Sequence, residues 1–263
     1  MSGIESFFRS FISGTIKNRS LGNTSPDPSV VNLGIPGIDI SHHNGIVNFS
    51  EAKQQGIRFV IMKMTEGYNF FDPKFEYNYA EAVKNGMLVI PYHFVRPSVK
   101  VKSQTETITK ALETKEIDGF MLDCEVTDGQ NSQVITDCIW ALGSKFRERA
   151  PIQLAYTRAS WWNPYVKRST NWSKLMDLHI AHWGVKKPTL PLDWNDWLVW
   201  QQGIVKTKFG VAGDVDYNVW NPKFPFPKDN PEPIPEPGTK KVFTLIVKSG
   251  SAKYFREVEL EKK

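Results

Sequence analysis

The stretch Gly119-Phe-Met-Leu-Asp123-Cys-Glu125 decides how the rest of the chain is read. Phe120, Met121 and Leu122 form a short apolar run, the pattern of a strand covered on both faces, and it ends on two acids at alternate positions. Residues i and i+2 of a strand point to one face, so Asp123 and Glu125 stand about 6 to 7 Å apart at the backbone. Two acids that close raise one another's proton affinity, and partial burial adds to it. One can then keep its proton near neutral pH while its neighbour stays ionised. Glu125, with the longer side chain, is expected to be the acid/base. Asp123 is expected to orient it or to position an acetamido group of the substrate. A lone Asp-x-Glu on a strand is as often structural as functional, so the weight falls on what surrounds it.

Two further acids stand in the same kind of context, Asp39 in Gly-Ile-Asp-Ile-Ser and Asp216 in Asp-Val-Asp-Tyr-Asn. Strand-like runs cover 37–41, 58–65, 88–94, 119–125, 152–157, 178–183, 197–201 and 215–219, which makes eight. Helical patterns separate the early ones, at 50–55, 73–85, 102–114 and 132–149. The later intervals are short and rich in Trp, Asn and Pro, so regular helices are expected to fail there. The fold class is therefore α/β, an irregular (β/α)8-like barrel with helices mainly in its first half. In such barrels functional side chains gather at the C-terminal ends of the strands. Asp39, Lys63 with Glu66, Tyr92 with His93, Asp123 with Glu125, Tyr156, Trp183 and Gln201 fall at successive strand ends, and Asp216 lies in the eighth. Asp39 and Asp216 should meet across the closing seam. Carboxylates from separate strands at one rim suit protonation of a glycosidic oxygen and stabilisation of the positive charge that follows.

The chain has 263 residues, room for one large α/β domain and small appendages. Residues 1–36 are expected to form an amphipathic helix (Ile4, Phe7, Phe8, Phe11, Ile12 and Ile16 at helical spacing) and a Ser/Asn/Pro/Gly-rich linker. The barrel should span 37–225, a Pro-rich spacer 226–240 and a β-hairpin tail 241–263. Arg9 interrupts any signal-peptide core, and no run approaches a membrane span. The net charge of +5 favours anionic surfaces, but no dense basic stripe interleaved with aromatics supports nucleic acid. Aromatics make up 13% of the chain, which suits a sugar groove as well as a core. Tyr156 and Trp183 are expected in the groove; Trp161, Trp162, Trp194, Trp197 and Trp200 are expected to pack. His42 and His43 lack a third ligand, so no metal or other cofactor is expected. Cys124 and Cys138 show no metal or redox spacing and read as buried free thiols.

The chain resembles glycoside hydrolase family 25, the lysozymes that cut peptidoglycan between N-acetylmuramic acid and N-acetylglucosamine. The resemblance rests on Gly-Ile-Asp-Ile-Ser-His-His-Asn-Gly (37–45), Lys-Met-Thr-Glu-Gly (63–67), Asp72-Pro73 with Phe75 and Asn78, and Pro-Tyr-His-Phe-Val-Arg-Pro (91–97). Leu-Asp-Cys-Glu (122–125), Ile-Ala-His-Trp-Gly (180–184), Trp-Gln (200–201) and Val-Asp-Tyr-Asn (215–218) complete it. It implies Asp39, Asp123, Glu125 and Asp216 as the acidic set, with Glu125 the proton donor. Lys63, Tyr92, Tyr156 and Trp183 match groove positions. His43 departs from the aromatic residue common after Ser-His in that family. The resemblance implies a bacterial cell-wall substrate. A phage-type lysin is expected, holin-released or virion-borne, with other virion or tail proteins as partners through residues 1–20 and 241–263. The competing expectation is a catalytically weak virion structural or wall-binding protein on the same barrel.

Overall fold

The computed structural model describes residues 34–229, 242–249 and 252–259. Its strands are β1 (Ile35–Ile40), β2 (Phe59–Glu66), β3 (Phe70–Phe71), β4 (Leu88–Phe94), β5 (Gly119–Asp123), β6 (Ile152–Thr157), β7 (Asp177–Ala181), β8 (Val199–Lys206) and β9 (Asp214–Trp220). All eight expected barrel strands are present. They run in the order β1-β9-β8-β7-β6-β5-β4-β2, and pairing of β1 with β2 closes the cylinder. β3 is an addition the sequence did not announce: two residues turned back on β2, pairing Thr65 with Phe71 and Glu66 with Phe70.

One strand departs from a regular (β/α)8 barrel. β9 is antiparallel to both β8 and β1, whereas the remaining barrel neighbours are parallel. The reason is local. A run of only seven residues, 207–213, joins β8 to β9, too short for the crossover a parallel return needs. Asp216 is therefore the third residue of its strand rather than the last. It still reaches the same rim, because that rim is the N-terminal end of a reversed strand.

Helices α1 (Phe49–Gln54), α2 (Phe75–Lys84), α3 (Val101–Leu112) and α4 (Ser132–Phe146) cover the first half of the barrel. In α4 the Asn131 side chain accepts from the Gln133 and Val134 amides, satisfying two orphan donors. Its buried residues Ile135, Cys138, Ile139, Leu142 and Phe146 recur at three- and four-residue spacing, one stripe facing the sheet. Beyond β6 the helices shrink to α5 (Ala159–Tyr165), which contains Pro164, and α6 (Trp172–Leu175). A tryptophan cluster fills the space instead. Trp162 meets Trp172 at 5.1 Å and Trp194 at 4.9 Å, edge to face. Each indole N–H has an acceptor: Asp193 for Trp162, the Lys167 carbonyl for Trp172 and the Met176 carbonyl for Trp194. Cys124 and Cys138 are buried and unbridged.

Strand alternation sorts the residues into two shells. Val60, Met62, Val89, Phe120, Leu122, Ala155, Leu178 and Trp200 join the core beneath the helices. The alternate positions face the barrel axis. Gly37 belongs to this inner set, and a β-carbon there would come within 2.3 Å of the Phe59 ring. The absent side chain makes room for that ring.

Strands β10 (Val242–Ser249) and β11 (Ala252–Glu259) pair antiparallel, in register from Val242 with Glu259 to Ser249 with Ala252. The amphipathic helix expected before residue 20 and most of the Pro-rich spacer lie outside the described residues. Among the described residues no helix is long and apolar enough to cross a membrane.

Candidate active site

Alternation along the strands determines which polar residues share the barrel mouth. Inner-facing residues near the upper rim include Asp39 on β1, Lys63 on β2, Tyr92 on β4, Asp123 on β5, Tyr156 on β6, Gln201 on β8 and Asp216 on β9. Inter-strand register lines them up: Asp39 opposite Asp216, Lys63 opposite Tyr92 and Asp123 opposite Tyr156. Glu125 lies two residues past the end of β5, further out than the expected strand placed it. The extended path is kept by the Cys124 amide, which donates to the Tyr156 carbonyl, and by the Thr157 hydroxyl, which donates to the Cys124 carbonyl. His93 is the exception among the strand-end residues. It faces the other way, fully buried between the Thr65 hydroxyl and the Gln104 amide oxygen. Its neighbour Tyr92 takes the place on the inner face.

Gln201 organises one side of the mouth. Its amide nitrogen donates to Asp39 Oδ2 at 2.9 Å, while its oxygen accepts from Tyr156 Oη at 3.1 Å and from Trp183 Nε1 at 2.9 Å. Asn218 donates to the same Asp39 oxygen at 2.8 Å, and its own oxygen meets His179 Nε2 at 2.8 Å. Asp39 therefore stands in a fixed orientation. Trp183 lies across the rim with nearly half its surface exposed, an indole face open to a ligand. On the opposite side Lys63 pairs with Glu66 at 2.6 Å, and its ammonium lies 5.3 Å from the Phe70 ring centroid and 5.1 Å from that of Phe94. Arg96 bridges Glu66 and Asp128.

The four acids gather at one rim, Asp123 buried and Asp39, Glu125 and Asp216 half-buried, and burial is the largest influence on each. It lifts Asp39 above the usual carboxylate range against the lowering effect of its Gln201 and Asn218 bonds. It raises Asp123 strongly, with the Glu125 charge adding to the effect. Glu125 is raised by burial and by Asp39, while Arg158 and Lys63 pull it down. Asp216 is pushed up to about 9 by burial, by the Asp39 charge and by the bond between the two carboxyls. Carboxyls held together out of water cannot all ionise, so the cluster retains protons at neutral pH. Asp123 is almost wholly buried, and among the described residues its Oδ1 has no hydrogen-bond partner. Such an orphan acceptor in a site is a place for a ligand's donor. Burial and the surrounding acids also raise Tyr92 and Tyr156 well above the usual phenol range, so both remain protonated.

Three participants were not assigned to the site from the sequence. Arg158, just after β6, supplies the cation that acts most strongly on Glu125. Nothing in sequence marks it. Asn218 could have been found by parity, because it shares a strand face with Asp216. Asp72, with its side chain fully buried, accepts from the His42 amide and binds His42 Nδ1 at 2.8 Å. The Asp72-Pro73 pair was visible, but its partner thirty residues earlier was not. Among the described residues no group of three or more His, Cys, Asp or Glu could hold a metal.

A closed barrel whose mouth collects carboxylates, protonated phenols and an exposed indole suits chemistry on a glycosidic bond. Residues 38–206 match the family described as Glycosyl hydrolases family 25. The chain is 30% identical over 225 residues to Lysozyme M1 of Streptomyces globisporus, covering 79% of this chain and 76% of that protein. Its structure is similar to the bacterial lysozyme from Streptomyces coelicolor, with a TM-score of 0.65 and 30% identity over 72% of this chain and 93% of that one. It is also similar to a family GH25 lysozyme from Aspergillus fumigatus, with a TM-score of 0.63 and 28% identity over 74% of this chain and 96% of that one. The chain belongs to glycosyl hydrolase family 25, the family of lysozymes and muramidases.

Proposed function

We propose that this chain hydrolyses the β-1,4 bond between N-acetylmuramic acid and N-acetylglucosamine in peptidoglycan, with Glu125 as general acid and then general base. The observation that carries this reading is the carboxyl-rich pit at one barrel rim, with Glu125 at its mouth. Glu125 is only partly exposed, and burial favours its neutral form, so it can carry a proton to the bridging oxygen. Asp123, deeper in the pit, offers its unpaired Oδ1 to the N–H of the sugar's acetamido group. That contact would turn the acetamido oxygen towards the anomeric carbon as positive charge develops there. After the leaving sugar departs, Glu125 takes a proton from the incoming water. Asp39, held by Gln201 and Asn218, and Asp216, which shares a proton with it, would fix the sugar or a water at the seam. Lys63, Tyr92, Tyr156, Trp183 and Gln201 would line the groove, Trp183 by stacking.

Glu125→Gln keeps the side chain's shape and removes the proton donor. Turnover on purified cell wall should fall by at least about a hundredfold, with an unchanged circular dichroism spectrum and melting temperature. Near-normal lysis by this variant sinks the assignment. Mass spectrometry of the released fragments should find N-acetylmuramic acid at the reducing ends, whereas N-acetylglucosamine there would mean a different bond is cut. A barrel that only binds wall is the weaker reading, because all four acids are retained.

We also propose the division into residues 1–36, 37–225, 226–240 and 241–263, with phage or virion attachment through the two ends. Its support is the amphipathic pattern before residue 20 and a two-stranded tail, which alone is marginal in water. Immunoblotting of purified virions tests it, and a protein found only outside the particles counts against virion attachment.

A further inference from the structure

At the other end of the barrel, far from the acids, α4 and α6 meet along a shallow seam. Trp140 and Ser144 on α4 and Arg147 at its C-cap stand at i, i+4 and i+7, so they share one face. Asn171, Lys174 and Leu175 face them from α6 and its first cap. The seam continues past Arg147 and Lys174 to a second recess at the starts of β6 and β7, bounded by Gln153 and Asp177. Asp123 is level with Tyr156, at the far end of β6 from this recess. A ligand in this groove would not touch the site acids.

Trp140 is 38% exposed, and its ring meets Trp172 edge to face at 5.1 Å. Trp172 is itself buried and anchored through its indole N–H to the Lys167 carbonyl. The exposed indole therefore stands on a rigid base and loses little freedom when something covers it. Among the described residues no carboxylate lies within ion-pairing distance of Arg147 or Lys174, although both lie at the groove. Asp177 is the one acid bounding the groove, in its second recess, and it stands outside ion-pairing distance of both cations. Two cations with no carboxylate partner among the described residues (Lys174 also donates to Asn171 Oδ1 at 3.5 Å), a supported aromatic face and a hydroxyl in one concave strip call for a ligand with apolar sugar faces and anionic groups.

We propose that this groove is a second binding site for the glycan strand of peptidoglycan, with a pyranose face on Trp140 and free carboxylates of the attached stem peptides on Arg147 and Lys174. It would hold the enzyme on insoluble wall while the barrel mouth cuts a neighbouring strand. The assignment rests on the muramidase reading for the choice of polymer, and on the groove alone for the existence of the site.

The full-length chain carrying Glu125→Gln, which binds without degrading, is sedimented with purified peptidoglycan stripped of phosphate-containing polymers. Adding Arg147→Gln and Lys174→Gln, both on the surface, should weaken binding roughly fivefold and flatten its dependence on salt. Trp140→Ala should weaken it roughly tenfold, and Trp140→Tyr should restore most of the loss. In the chain with Glu125 intact, the same groove variants should cleave short soluble wall fragments at the wild-type rate. Unchanged sedimentation of the charge variant overturns the proposal. So does binding that appears only on walls retaining their phosphate polymers, or an equal loss of soluble turnover. If the Glu125→Gln chain releases sugar during sedimentation, the catalytic assignment fails while the binding comparison still decides the groove.

Discussion

Replacing Asp216 by Asn tests whether the acids at the seam share protons as their burial implies. Asp216 has its pKa pushed up to about 9 from an ordinary 3.8, with burial as the main cause and the adjacent Asp39 charge next. Below the ordinary value both folded and unfolded chains carry the proton. Between the two values only the folded chain keeps it, so stability is lost as pH rises through this window. A shift of about five units would be worth at most about 7 kcal/mol across the whole window. Asp39 shares the proton and the rim is open to water, so about 2 kcal/mol is expected between about pH 5 and about pH 9. Asn is neutral at every pH and retains an N–H for Asp39. The melting temperature of Asp216→Asn should therefore gain on that of the wild type by about 4 to 8 °C between those two conditions. Scanning calorimetry or thermal circular dichroism reads this directly. A gap that stays constant, or narrows with rising pH, refutes the shared-proton account of the seam.

Arg158→Gln removes the cation that most lowers the proton affinity of Glu125. The donor should then hold its proton to higher pH, moving the alkaline limb of the kcat/KM profile upward by about 0.3 to 0.5 units. A profile that stays put or moves down would show that Arg158 does not act on Glu125. Gly37→Ala drives a methyl group into the Phe59 ring and should cost about 2 to 3 kcal/mol, read as a lower melting temperature. Adding Phe59→Leu should recover part of that loss, and no recovery would place the strain elsewhere.

Much of the site was legible because strand parity is a local property. Asp123 and Glu125 share a face through their spacing alone, and the eight apolar runs announced eight strands before any pairing was known. The same parity removes His93, which follows Tyr92 and so faces the helices. The tryptophan-rich interval after β6 was also readable, since Pro164 and the clustered indoles suit packing better than long helices.

What sequence could not supply depends on residues meeting from distant parts of the chain. The antiparallel run of β9 has a local cause, the seven-residue link, but the expected strands at 197–201 and 215–219 left that link too long to show it. Gln201 reaches Asp39 across 162 positions, Asn218 across 179, and His42 finds Asp72 across 30. The sequence by itself determined which residue types stand at the strand ends and which way each faces. Only the closed barrel decided how far their protons are held, because desolvation and mutual repulsion exist only once the carboxyls share one cavity.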